Sequence, residues 1–255
     1  MPVSIKTQEE IALMREAGRI LAIVHEEMKK ALCPGISTYK IDKLGEEIIR
    51  SYGCIPSCLG YEGYPASVCI SINDEVIHGI PDKKRLIREG DLVSLDTVLS
   101  YKGYHADATR SYSVGPNPRA EDLVRVTRQS FFEGLRYAKA GNRLSDVAGA
   151  IQKYAEGHGY SVVRDFTGHG IGKEMHEEPE VYNYVRPFRK GIKLVPGMTL
   201  AVEPMINEGS PDVAILDDDW TVVTCDGSLA AHYENTILIT DKEPVILTRA
   251  DGIDL

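Results

Sequence analysis

Cysteine is scarce and unpaired in number. The five residues Cys33, Cys54, Cys58, Cys69 and Cys225 are too few and too odd a set for a disulfide framework in 255 residues, so they read as reduced, intracellular thiols. Cys54, Cys58 and Cys69 lack a fourth partner at finger spacing, which argues against a structural zinc site. Basic residues are also in deficit: 29 Lys and Arg stand against 38 Asp and Glu, a net charge of −9. No basic stripe is available to displace counterions from a phosphate backbone, so specific nucleic-acid binding is not expected. Long apolar runs are missing too. The opening Met1-Pro2-Val3-Ser4-Ile5-Lys6 has no signal-peptide core, and nothing later reaches the length of a membrane span. The expectation is a cytoplasmic protein, with 43% hydrophobic residues supplying a core.

Helices are legible from their caps. Thr7 with Glu10 forms a capping box, followed by Leu13, Ala17, Ile20, Leu21, Val24, Met28 and Leu32 at helical spacing. A second helix is expected from Thr38 to Tyr52, closed by Gly53, a third from Arg119 to Ala140 and a fourth from Ser145 to Glu156. Between the two pairs lies a hairpin, Asp91 to Ser100 and Tyr104 to Tyr112, turning through Tyr101-Lys102-Gly103. With Ser100 facing Gly103, Asp96 faces Asp107; a three-residue loop with Gly103 left-handed slips this by one. Facing carboxylates repel, so a bound cation would offset the cost. The alternative is one Asp turned to solvent or paired with Arg110.

The chain repeats itself faintly. At an offset of 106, Gly35 falls on Gly141 and Gly53 on Gly159; at 107, Gly90-Asp91-Leu92-Val93-Ser94-Leu95-Asp96 falls on Gly197-Met198-Thr199-Leu200-Ala201-Val202-Glu203. A strand ending in an acid therefore occurs twice. One domain spanning residues 1–255 is expected, built from halves at roughly 7–115 and 119–245 that meet on a pseudo-twofold. The second half adds His169 among glycines in Thr167-Gly168-His169-Gly170-Ile171-Gly172, and Glu234 at the head of a strand. Asp96, Asp107, His169, Glu203 and Glu234 are four carboxylates and one imidazole. Their charge balances two divalent cations, and the oxygen-rich donor set suits Mn, Fe, Co or Zn.

These pieces, with Asn73-Asp74-Glu75-Val76-Ile77-His78-Gly79-Ile80-Pro81, His176-Glu177-Glu178-Pro179, Glu203-Pro204-Met205 and His232-Tyr233-Glu234-Asn235-Thr236, resemble the type I methionine aminopeptidases from the first helix to about Thr248. The resemblance implies an α+β pita-bread fold, two pseudo-symmetric halves whose curved antiparallel sheet is backed by helices. It implies that the five residues hold two adjacent divalent ions, that His78 and His176 are catalytic without being ligands, and that Glu203 also shuttles a proton. It places Cys58, Tyr61, Tyr64, Cys69 and Trp220 around a slot for the methionine thioether. Met175 stands where many relatives carry an aromatic, which implies a softer slot floor. The implied substrates are N-termini of nascent polypeptides with a small second residue, a rule the chain's own Met1-Pro2 fits; transient ribosome proximity and a monomeric state go with this. Xaa-Pro peptidases share the fold and ligands but usually carry an extra N-terminal domain, for which too little chain precedes the first strands here. Type II methionine aminopeptidases carry a helical insertion in the second half, for which the stretches between His169, Glu203 and Glu234 leave no room. A non-catalytic scaffold of the same fold would have lost the ligands, and all five are present.

Overall fold

The computed structural model describes residues 3–253; the Met1-Pro2 dipeptide lies outside them. Helix α1 spans Gln8–Ala31 and starts at the capping box, with Glu10 N–H donating to Thr7 Oγ1 at 3.3 Å and Thr7 N–H to Glu10 Oε2 at 2.8 Å. Helix α2 (Thr38–Ser51) is capped by Ser37, and α3 (Pro118–Leu135) by Asn117 with Pro118 at the first helical position. Helix α4 covers Leu144–Gly157. The third helix stops five residues before the expected Ala140. Past Leu135 the chain tightens, as Tyr137 N–H donates to Gly134 O and Ala138 N–H to Leu135 O, and Ala140 N–H turns away to Thr240 O.

The strands are β1 (Ile55–Pro56), β2 (Cys69–Ile72), β3 (Glu75–Ile77), β4 (Asp91–Tyr101), β5 (Tyr104–Val114), β6 (Ser161–Val162), β7 (Gly168–Gly170) and β8 (Glu177–Val181). They continue as β9 (Thr199–Val202), β10 (Met205–Asn207), β11 (Val213–Ile215), β12 (Val222–Thr224), β13 (Ala230–His232), β14 (Asn235–Leu238) and β15 (Val245–Ile246). All pairings are antiparallel. β4 is flanked by β1 and β2 and pairs with β5; a second sheet runs β15-β14-β9-β7-β8, and shorter ones run β13-β10-β6 and β11-β12-β3.

The hairpin register differs from the expectation. Tyr101 pairs with Tyr104, so Asp96 faces Thr109 and Asp107 faces Val98. The reason is the turn: Lys102 and Gly103 are both left-handed, at φ 50° and 82°, which makes a two-residue loop of the kind that suits the strand twist. The shift is two residues, and side chains alternate with a period of two, so both aspartates stay on one face as diagonal neighbours. Val93, Leu95 and Leu99 point the other way, against Ile20, Leu21, Val24 and Met28 of α1. Arg110 also leaves the carboxylate face. Its guanidinium donates to the carbonyls of Thr109 and Glu234 and to Asn235 Oδ1, so it does not pair with Asp96 or Asp107.

The repeat carries over into pairing. Ile55 pairs with Ser100 and Pro56 with Leu99 in the first half; Ser161 pairs with Asn207 and Val162 with Ile206 in the second, at the same offsets of 106 and 107. Gly90 and Gly197 both take φ near 88°, at 87° and 88°. Helices α3 and α4 bury Phe131, Val147 and Ile151 against Leu200, Val202 and Ile237, as α1 does against β4 and β5.

One contact sets how close α1 sits to the chain's last turns. A Cβ on Gly18 would lie 2.2 Å from the carbonyl oxygen of Leu247, a backbone atom that cannot rotate away. Gly18→Ala should therefore lower the unfolding free energy by about 1–3 kcal/mol despite the better helix propensity of alanine. Urea denaturation checks this, and a neutral or stabilising result would mean that α1 can move.

Candidate active site

A cleft of about 580 Å³ opens between the two halves, lined by side chains from both. β4 delivers Asp96 and β5 Asp107; β7 delivers His169, while Glu203 directly follows β9 and Glu234 directly precedes β14. The nearest donor atoms of Asp107, His169 and Glu234 lie within 4.8 Å of one another. His169 Nε2 is 3.6 Å from Asp107 Oδ2 and 3.6 Å from Glu203 Oε1. The His169 Nδ1–H donates to Gly170 O at 2.8 Å, so that in the neutral ring Nε2 carries the lone pair and faces the carboxylates. Thr109 Oγ1 donates to Glu234 Oε2 at 2.8 Å. Thr236 holds β5 beside β14, accepting from Asp107 N–H at 2.9 Å and donating to Asp107 O at 3.0 Å.

The electrostatics are those of a cluster with too much negative charge. Burial, Asp107 and Glu203 push the Asp96 carboxyl up to about 7, against the opposing influence of His232 and Thr109. Burial and the same neighbours push Glu234 well above the carboxylate range. Burial alone would lower His169, but Asp107 and Glu203 outweigh it and bring the imidazole up to about 9. Asp107 Oδ1 and Glu234 Oε1 are buried without a hydrogen-bond partner. Acceptors orphaned in a buried, acid-rich space, beside an imidazole lone pair, fit divalent cations.

The other expected residues surround this cluster. Cys58, Tyr64, Cys69 and Met175 are buried together with Val98, and Tyr61 and Trp220 pack against them. Tyr64 and Trp220 meet edge to face at 5.1 Å, and His78 lies 6.0 Å from Trp220. His176 stacks edge-on to His169 at 4.3 Å. Burial, His232 and His176 push His78 down to about 4. Burial and His169 do the same to His176, also to about 4. Both rings are therefore neutral near pH 7. Cys54, by contrast, belongs to the core under α1 and β4, away from Cys58 and Cys69.

Several lining residues were not foreseen. Val98 had a signal, since it lies two positions after Asp96 on the same strand face. Phe166, which packs edge-on to His78 at 6.2 Å, had none beyond its nearness to the glycine loop. Tyr61 does more than wall the slot: its hydroxyl lies 2.7 Å from His176 Nδ1. Glu177, beside His176, is tied down by Ser4 Oγ at 2.5 Å and Lys6 Nζ at 2.6 Å. Burial opposes its ionisation, yet Lys6 and Ser4 hold its pKa below the usual carboxylate value.

A profile of the metallopeptidase family M24 matches residues 12–241. The chain belongs to metallopeptidase family M24. M24 members use divalent metal, and the cluster described above has the donors for it. The methionine aminopeptidase of Clostridium acetobutylicum is 53% identical over 247 residues, covering 96% of this chain and 98% of that protein. The crystal structure of methionine aminopeptidase from Thermotoga maritima superposes with a TM-score of 0.94 at 43% identity, covering 97% of this chain and 99% of that one. The α+β pita-bread architecture expected from the resemblance to type I methionine aminopeptidases is thereby borne out. A Xaa-Pro dipeptidase from Bacillus anthracis is more distant, at 26% identity and a TM-score of 0.75, and this chain covers 62% of it. Among the described residues of this M24 chain, no helix is long and apolar enough to cross a membrane.

Proton and cation compete for this cluster. Free of metal, Asp96 has a folded pKa above its unfolded value, so stability falls as pH rises from about 4 to 7. His169 is also raised, and its contribution is lost between about 6.5 and 9. Both push the same way, so a divalent cation should stabilise the protein more as pH rises. The shift in melting temperature on adding Mn²⁺ to metal-free protein should be clearly larger at pH 8 than at pH 5.5. Equal shifts would mean that the ion binds elsewhere.

Proposed function

We propose that this chain removes the N-terminal methionine from newly made proteins whose second residue is small, by hydrolysing the first peptide bond at a site holding two divalent ions. The observation carrying this is the meeting, in one cleft, of a partly buried four-carboxylate, one-imidazole cluster, with Asp107 and Glu234 at its buried base, and a wall of sulfur and aromatic side chains. The ligands are Asp96, Asp107, His169, Glu203 and Glu234, and the ions are Co, Mn, Fe or Zn. The chain acts as one catalytic domain over 1–255, as a cytoplasmic monomer. Its substrates are N-termini of nascent polypeptides, met in transient proximity to the ribosome.

Divalent ions held by Asp96, Asp107, His169, Glu203 and Glu234 would supply Lewis acidity and would make a water acidic enough to ionise near neutrality. Glu203, at the edge of the cluster, accepts the proton of the attacking water and returns it to the leaving amine. His78 and His176 are neutral and donate N–H groups to the amide and to the oxygen that gains charge. When the Tyr61 phenol donates to Nδ1, Nε2 of His176 carries the proton and is free to donate. Cys58, Cys69 and Met175 line a polarizable slot that an unbranched thioether fills well, with Tyr64 and Trp220 as its edges. An Xaa-Pro specificity would need a cleft that accepts any first residue. The slot's narrow sulfur-aromatic lining and the weaker likeness to the Bacillus anthracis dipeptidase favour methionine.

His78→Ala and His176→Ala should each lower turnover by about 10²- to 10⁴-fold while bound metal per chain stays unchanged. Loss of metal from either variant would make that histidine a ligand.

Peptides discriminate the specificities directly. Met-Ala-Ser should be cleaved well, Met-Leu peptides poorly and formyl-Met-Ala-Ser not at all, since formylation removes the free amine that ions held by the carboxylates would recognise. Preferential cleavage of Leu-Pro over Met-Ala-Ser, with metals loaded, would hand the site to the Xaa-Pro reading.

A further inference from the structure

The duplicated register places a second histidine beside the cluster. In the first half, Asp96 faces Thr109 and Val98 faces Asp107. At the offset of 107, Asp96 corresponds to Glu203 and Val98 to Met205. Met205 faces His232, and Val202 faces Asn235, so the register carries Glu203 opposite Glu234. His232 thus holds in the second half the position that Asp107 holds in the first. It shares a strand face with Glu234, two residues on. The ring is 2% exposed, and neither Nδ1 nor Nε2 has a hydrogen-bond partner. Its Nε2 lies 3.6 Å from Glu203 Oε2, while the other oxygen, Oε1, lies 3.6 Å from His169 Nε2. Glu203 is therefore bracketed by two imidazoles, one on each carboxylate oxygen.

The two rings differ in access. His169, Glu203 and Glu234 line the cleft, whereas His232 does not; it stands behind Glu203. Substrate cannot reach it, and anything it does to the reaction passes through the carboxylate. A buried polar ring with two idle nitrogens is rare in folded proteins, and a small rotation of Glu203 brings Oε2 into hydrogen-bonding range of Nε2. We propose that His232 is the positioning residue of Glu203: its Nε2–H donates to Oε2 and keeps Oε1 turned toward the cation site. This rests on the two-ion reading above. Partners of this kind raise ligand basicity and fix orientation, and their loss costs metal affinity as well as rate.

His232→Leu keeps an apolar side chain of similar bulk and removes the donor, while His232→Gln restores an N–H at similar reach. Metal-free wild-type and variant proteins would be titrated with Mn²⁺ by calorimetry. The leucine variant should weaken one of two sites by about 10- to 100-fold, lower kcat rather than raise KM, and be largely rescued in the glutamine variant. Selective ¹⁵N labelling of histidine in the wild-type protein loaded with diamagnetic Zn²⁺ should show Nε2 of His232 protonated. Leucine binding both ions like wild type, glutamine binding as weakly as leucine, or a metal-coordinated Nε2 would each overturn the assignment. Should the leucine variant not fold, the protonation of Nε2 in the loaded wild-type protein decides. Wild-type protein that takes up no Mn²⁺ would sink the two-ion reading itself, and this inference with it.

Discussion

Repulsion among four converging carboxylates is the constraint around which this protein is arranged. Asp96, Asp107, Glu203 and Glu234 arrive from four different chain segments at a place where little water remains to screen them. Fold energy from the two helix-backed cores holds them there: α1 on β4 and β5, α3 and α4 on the sheet that carries β9 and β14. Burial first, and the neighbouring carboxylates second, raise Asp96 and Glu234, and positive charge among them would relieve the second of these. Without a cation, protons and the His169 imidazole supply part of it.

The histidines divide by what faces them. His169 sits among carboxylates and is pushed up; His78 and His176 sit among aromatic rings and other imidazoles and are pushed down. The same residue type thus yields a cation-seeking group and two neutral donors within one cleft, set by neighbours a few ångströms away. Tyr61 and the Lys6–Ser4–Glu177 contact then fix the loop carrying His176 from two sides.

Much of this was legible in the sequence, and the misses have physical causes. The capping box at Thr7 and Glu10, the offsets linking Gly90 to Gly197 and Asp96 to Glu203, and the acids set within or beside strands all follow local rules that chain order preserves. The hairpin register was missed by two residues because Lys102, an unusual residue for φ above zero, occupies the left-handed turn beside Gly103. The error left the chemistry intact only because it was even. The end of α3 was missed because the segment from Arg136 to Ala140 has acceptable helix propensity and is drawn off by tertiary contacts. Tyr61 with His176, and His232 behind Glu203, join residues far apart in the chain. The histidine itself stands in plain view, next to Tyr233 and Glu234, but only the pairing of Met205 with His232 shows what it faces.

The split origin of the donors has a mechanical meaning. Asp96 and Asp107 belong to the amino-terminal hairpin, and His169, Glu203 and Glu234 to the carboxy-terminal half. Any ion that touches both sets is a rivet between them, so that sliding one half past the other by a fraction of an ångström and loosening the ion are the same event. Cohesion of the two halves and occupancy of the site are then one equilibrium read in two ways. A substitution at the seam, far from any donor atom, would register first as a change in how firmly the protein keeps its metal.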